Sequence, residues 1–167
     1  MAYQMKVDGM AEISETLEKM AEDAPKVAAK ALYQGAGLMA AEITKGVAGI
    51  RTAPFQYAKD GQTRLPSPEE KAVVEKATVG IAKFDKNATE VDTSVGFKNA
   101  GYAKMAGKTV PIPKVVNAIN SGTSFMPKQP FVRKAARAGT TKAINAMKDV
   151  IEAEFLAMTK DNGRNKT

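Results

Sequence analysis

Cysteine, histidine and tryptophan are all absent from the 167 residues of this chain. Without cysteine there is no disulfide framework and no thiolate for a metal site, which fits synthesis in a reducing cytosol. Without histidine the usual general base near neutral pH and the commonest metal ligand are both missing. No serine can then be activated by an imidazole. The lack of tryptophan, with no aromatics interleaved among the basic residues, argues against a stacking platform for single-stranded nucleic acid. No apolar run approaches the roughly 18–20 residues that cross a bilayer. Residues 1–6 lack the charged-then-apolar layout of a signal peptide, so neither export nor a membrane is expected. The Asn87-Ala88-Thr89 sequon is then accidental.

Carboxylates are present, but not in patterns that perform chemistry. Glu22/Asp23, Glu69/Glu70 and Glu152/Glu154 sit at helix starts or on polar helix faces, where capping and solvation explain them. No spaced Asp-x-Asp-x-Asp-Gly loop offers oxygen ligands to Ca²⁺ or Mg²⁺. The stretch 101–109, GYAKMAGKT, approaches a phosphate-binding loop but has five residues between its glycines where four are needed, and Pro111 follows where a helix should begin. It reads as a loop linking strand to helix, with Lys108 exposed. No catalytic residue, cofactor or metal is expected, and the chain does not read as an enzyme.

What the chain does contain is enough apolar sequence for one core and an uneven charge. At 44% hydrophobic and 26% charged it has the composition of an ordinary globular domain. Residues 1–50 are net −2, 51–111 net +3 and 112–167 net +6, giving the overall +7. A basic final third can face DNA, an acidic protein surface or simply water. Its cations recur at helical intervals rather than in one block.

Periodicity supplies the elements. Met10, Ile13, Leu17 and Met20 form an apolar stripe opposite Glu12, Glu15 and Glu18, which predicts a helix starting after Gly9. Asp23-Ala24-Pro25 reads as a break and restart, with Asp23 as N-cap and Pro25 in the new first turn. A second helix is then expected to about Val47, with Ala28, Leu32, Gly35, Met39, Ile43 and Val47 inward. Small residues at Ala29, Ala31, Gly35, Ala36 and Gly37 would admit a close neighbour. Residues 49–66 read as a long surface loop that orders on docking. Ser67-Pro68-Glu69-Glu70 is a capping box that should start a short helix to about Glu75.

Residues 78–84 and 89–97 alternate with period two around a turn at 85–88, which predicts a hairpin with Val91, Val95 and Phe97 on one face. Pro111-Ile112-Pro113 introduces a short helix carrying Val115, Val116 and Ile119, closed by Ser121-Gly122. A last helix should run from Pro130 to about Met158, with Val132, Ala136, Thr140, Ala143, Met147, Val150 and Ile151 inward. Residues 161–167 form a polar tail, expected to be flexible. The expected architecture is α+β, a single domain over 1–160 with long helices packed on a small antiparallel β-sheet. Two strands cannot cover that much helix, so a third strand from 71–76 or 102–110, or a neighbouring subunit, is needed.

The segment 122–138, GTSFMPKQPFVRKAARA, is the most distinctive in the chain. A Gly-Thr turn leads into a loop carrying Phe125 and Met126, and Pro130-Phe131 then opens a helix whose first turns hold Arg133, Lys134 and Arg137. Asn120-Ser121-Gly122-Thr123-Ser124 followed by Gln129-Pro130-Phe131-Val132-Arg133 resembles the tail-component family of long-tailed bacteriophages (siphophages). Those are neck or tail-completion proteins that join head to tail. The Gly9-led helix, the Ala-rich helix after it and Thr52-Ala53-Pro54 fit the same family. Here Asn120 stands where such proteins usually carry an acidic residue, Lys134 replaces a second proline, and residues 55–68 form a longer segment than the family's.

The resemblance implies a virion structural protein, assembled in the host cytoplasm. It would be a homo-oligomer, a six-fold ring through whose lumen DNA passes, between the head connector and the tail tube or terminator. Under that reading Phe125, Met126, Phe131 and Val132 are expected at an inter-subunit or partner contact. Arg133, Lys134 and Arg137 would meet an acidic neighbour or DNA. Two alternatives stay open: a tail terminator ring that caps the tube, and a free basic protein that binds DNA without sequence preference, using Lys128 and Lys142 as well.

Overall fold

The computed structural model of the chain describes residues 10–54, 62–83, 93–97, 100–105 and 107–164, with side chains for those between 17 and 160. The elements are α1 (Met10–Ala48), α2 (Pro68–Glu75), β1 (Gly80–Ile81), β2 (Val95–Gly96), β3 (Tyr102–Met105), β4 (Lys108–Pro111), α3 (Ile112–Ser121) and α4 (Phe131–Arg164). The fold is α+β: two long packed helices with two small antiparallel two-stranded sheets.

The helices α1 and α4 run antiparallel along one seam. Gly46 lies against Phe131 and Ala135, Gly35 against Met147, and Lys30 pairs with Glu154 further along. The small residues of α1 are what permit this approach. A Cβ at Gly35 would fall 2.9 Å from Met147 Cγ, and one at Gly139 would fall 2.9 Å from Met39 Sδ. Each helix thus gives a glycine socket to a methionine of the other, and flexible thioether chains suit such irregular gaps. Gly37 takes no part, since a Cβ there would meet nothing within 4 Å.

One expected boundary is overturned. The chain does not break at Asp23-Ala24-Pro25; α1 passes straight through Pro25. Asp23 is no cap, and its carboxylate instead accepts from Lys26 Nζ at 2.7 Å. Proline inside a helix removes one backbone hydrogen bond and costs about 3 kcal/mol. Burial outweighs that local preference here, because Val27 and Ala31 are enclosed within two turns of it. The other end of the pair also exceeds expectation. Helix α4 continues to Arg164, so residues 161–164 are helical rather than part of a tail, and 165–167 lie outside the described residues. Thr140 is exposed instead of inward, its hydroxyl donating to the Ala136 carbonyl at 2.7 Å.

At the base of the helix pair sits the main core. Ile43, Val47 and Ile50 from the end of α1 meet Val74 of α2, Val115, Val116 and Ile119 of α3, and Phe131 and Ala135 of α4. Helix α2 begins as its capping box requires: Glu70 N–H donates to Ser67 Oγ at 3.1 Å and Ser67 N–H donates to Glu70 Oε2 at 2.7 Å. The first hairpin pairs Gly80 with Gly96 and Ile81 with Val95. It delivers Phe97 to the core, edge-on to Phe131 with ring centroids 6.3 Å apart. The expected turn at 85–88 and Val91 lie outside the described residues.

The stretch 101–109 is not a plain loop. Tyr102–Met105 and Lys108–Pro111 pair with each other as a second hairpin, so 102–110 adds no third strand to the first sheet, and 71–75 is helix. Strand propensity was visible there only weakly, because Ala, Lys, Met and Gly are poor strand formers and pairing across Gly107 decides the outcome.

The loop between α3 and α4 is built around one glycine. Gly122 has φ 81°, and a Cβ there would lie 2.9 Å from Lys128 N. It closes α3, and residues 123–126 then turn tightly, Thr123 N–H donating to Met126 O at 2.8 Å. Gln129 locks this loop to the chain leaving α1. Its Oε1 accepts from Arg51 N–H at 2.8 Å and its Nε2 donates to Arg51 O at 2.9 Å, while its own N–H donates to Ile119 O at 2.9 Å. Asn120 Oδ1 accepts from Val132 N–H at 3.2 Å, satisfying a free donor at the start of α4.

Two outcomes follow. Gln129→Ala strands both backbone groups of Arg51 and should cost about 1–3 kcal/mol, read as a lower urea midpoint. Pro25→Ala restores a helical hydrogen bond and should raise stability by on the order of 1–3 kcal/mol with a higher melting temperature by circular dichroism. A Pro25→Ala variant of unchanged or lower stability would argue for a break at that point.

Candidate functional site

The residues singled out by sequence divide cleanly on burial. Met126 is 2% exposed and Phe131 5%, so both side chains are enclosed within this chain's own core. Phe125, at the tip of the 123–126 turn, is 45% exposed. Val132 is half-buried and lines the α1–α4 seam with Ala136 and Met147. Arg133, Lys134 and Arg137 are exposed on the first turns of α4 and form no ion pair with the described residues. Lys142 behaves differently. Its Nζ donates to Glu42 Oε1 at 3.1 Å, where Lys45 also reaches at 3.3 Å, so it bridges α4 to α1. Those two hydrogen bonds, from Lys142 first, hold the Glu42 carboxyl below its ordinary range.

Three concave regions surround this corner. A groove of about 200 Å³ under Phe125 is bounded by Met105, Val110, Lys114 and Ala118. A second, of about 340 Å³, opens along the α1–α4 seam between Leu32, Met39, Val95 and Met147. The third, of about 370 Å³, lies where α1 ends and α4 begins, with Arg51, Lys128 and Lys134 around Ile50 and Phe131. Two are apolar and one is basic. None converges carboxylates: among the described residues no group of three or more Asp or Glu is close enough to hold a metal ion. Among those residues, too, no helix is long and apolar enough to cross a membrane.

Sequence reasoning missed the residue that steadies Phe125. The Arg64 guanidinium pairs with Glu70 through two hydrogen bonds of 2.7 Å, and its Cζ stands 5.8 Å from the centroid of the Phe125 ring. The Arg64 N–H also donates to Phe125 O at 2.8 Å. This ties the far foot of the 49–66 loop to the 123–126 turn, and Ala53 N–H donates to Pro66 O at 3.0 Å to join the loop's two feet. The capping box made Glu70 legible, but nothing in the spacing marked Arg64 as its partner. Burial pushes the Glu70 carboxyl up, yet the bonds from Arg64 and Ser67 outweigh it and hold the group below its ordinary range. With both oxygens committed, Glu70 is a structural anchor rather than a proton carrier.

No family model matches this chain, and no curated protein or solved structure matches it. The functional reading therefore rests on this geometry and on the resemblance carried by residues 120–133.

The Glu70 pair sets a pH dependence. A carboxylate held low when folded adds stability above its unfolded value of about 4.5 and loses it as pH falls through the folded value. The folded chain should lose stability on acidification below about pH 4.5. Glu70→Gln should be less stable at pH 7 and show a shallower decline, compared by urea midpoints from pH 7 to 3.

Proposed function

We propose that this chain is a structural subunit of a bacteriophage neck, a tail-completion protein that joins head to tail as a ring around the DNA. The observation that carries this reading is the incomplete burial of the helix pair. The core cluster stops at Ile43 of α1 and Ala135 of α4. Beyond it Val27, Ala31, Ala36 and Ala143 are still enclosed along the seam, but Val150, Ile151 and Met158 are only half-buried and Leu17, Phe155 and Leu156 are exposed. Two helices alone cannot enclose such a face, and a neighbouring copy supplies the missing layer. An exposed Phe125 held by Arg64 gives a second apolar contact near the resembling segment.

The work of such a subunit is mechanical. The corner that carries the resemblance is rigid, locked by Gln129, Asn120 and Gly122, so the start of α4 and the Phe125 turn keep a fixed relation. A ring of this kind needs heterologous contacts that match one face of a copy to a different face of the next. We infer no catalytic role. The chain lacks histidine and cysteine, and Glu70 is fully engaged. Arg133, Lys134 and Arg137, exposed and without an ion pair among the described residues, favour one second reading, a free DNA-binding protein, whose duplex affinity would fall steeply with salt.

Negative-stain imaging of the purified protein with its light-scattering mass, alone and with tail tubes and head connectors, tests the proposal. Rings, or discs seated at a tube end or connector, are expected. A monomer that ignores both and binds duplex DNA tightly at low salt would overturn it in favour of the second reading. Phe125→Ala should leave stability within about 0.5 kcal/mol and weaken assembly by roughly tenfold.

A further inference from the structure

All the sulfur of this chain is thioether, since it has 9 methionines and no cysteine. With no thiol to compete, mild peroxide chemistry falls on the methionines. Those with described side chains differ in how they are held. Met126 is 2% exposed, sealed within the core. Met20, Met39, Met105, Met147 and Met158 are half-buried.

Met39 and Met147 are set apart by their glycine sockets. A Cβ at Gly139 would fall 2.9 Å from Met39 Sδ, and one at Gly35 would fall 3.0 Å from Met147 Sδ. Both sulfurs therefore sit where the two backbones approach most closely. The same two residues line the groove of about 340 Å³ that opens beside the seam. Each is wedged on one side and reachable by a small oxidant on the other. The wall around them includes Leu32, Ala36, Val132 and Ala136, which offer no side-chain hydrogen-bond donor. The Thr93 hydroxyl, also on that wall, already donates to Ala82 O at 2.9 Å. Glu42 Cγ shares the Gly139 socket, and its carboxylate is committed to Lys142 and Lys45.

We propose that Met39 and Met147 form an oxidation-sensitive fastening, whose conversion to sulfoxide by hydrogen peroxide loosens the helix pair. A sulfur lone pair attacks one peroxide oxygen, the O–O bond breaks as the S–O bond forms, and sulfur gives up two electrons. The displaced hydroxide takes the remaining proton and leaves as water. The product places a polar oxygen on a sulfur that has little spare volume and no donor at hand. Overpacking a tight contact and burying an unpaired polar group both destabilise. A methionine sulfoxide reductase removes the oxygen again, so the fastening is reversible. Such a switch needs no ring, and its failure leaves the neck reading untouched.

Timed peroxide treatment of the full-length protein tests this, with peptide mass mapping of each sulfoxide and a urea midpoint at each time. Met39 and Met147 should oxidise while Met126 stays reduced, and the unfolding constant should rise by about tenfold or more as they do. Reductases acting on both sulfoxide epimers should restore the midpoint, which excludes irreversible damage. M39L/M147L should keep its midpoint under the same treatment, whereas M20L/M105L/M158L should lose stability as the wild type does. Should leucine crowd the sockets and unfold the first variant, the wild-type time course still decides. Midpoints that follow sulfoxide at any other methionine overturn the proposal. So does a wild type fully oxidised at Met39 and Met147 yet unchanged in stability, or one in which neither oxidises before Met126.

Discussion

Close approach of two backbones along the α1–α4 seam is the constraint on which the rest of this structure depends. It exists because Gly35 and Gly139 have no side chain at the positions where Met147 and Met39 must lie. With that spacing fixed, Gly46 reaches Phe131 and Ala135, and the base of the pair forms a platform for the small elements. The same seam carries its own electrostatic fastening through Glu42 with Lys142 and Lys30 with Glu154. Exposed pairs of this kind contribute little individually, so apolar contact rather than charge holds the helices together.

Polar side chains do their structural work at the corner between α3 and α4. Gln129 is buried and treats the Arg51 backbone as one strand treats another, satisfying both its donor and its acceptor. Among the described residues no buried side-chain nitrogen or oxygen lacks a hydrogen-bond partner. Arg64 and Glu70 perform the corresponding task on the other side, joining the loop foot, the capping box and the Phe125 turn. The segment 120–133 is therefore a rigid joint, and its conspicuous residues divide into internal locks and outward contacts. Met126 and Phe131 are locks. Phe125 and the first cations of α4 face outward.

Much of this was legible in the sequence where the cause is local. The capping box at Ser67 and Glu70, the glycine stop at Gly122, the period-two run ending in Phe97 and the basic first turns of α4 each depend on residues within a few positions of one another. The failures share the opposite cause. Pro25 looked like a boundary because nothing local offsets its lost hydrogen bond, whereas burial around Val27 and Ala31 does. Residues 101–109 read as a loop, and 102–110 only as one option for a third strand of the first sheet, because their propensities are poor and pairing with each other decided them. Arg64 was invisible because its place against Phe125 joins parts of the chain far apart in sequence, and its pairing with Glu70 six residues on follows no helical or strand spacing.

The sequence by itself determined an α+β fold of long helices with a little antiparallel strand, a basic final third, and that no histidine or cysteine chemistry was available. Composition and short-range periodicity carry those facts, since each depends on side-chain identity and spacing alone. Only the tertiary structure decided which apolar residues would be enclosed, leaving Met126 inside and Phe125 beside it exposed. It alone set α1 antiparallel to α4, pairing Lys30 with Glu154, and gathered Arg51, Lys128 and Lys134 around one cleft. Those outcomes depend on antiparallel packing across more than a hundred residues of chain, and no local pattern encodes which distant surfaces will meet.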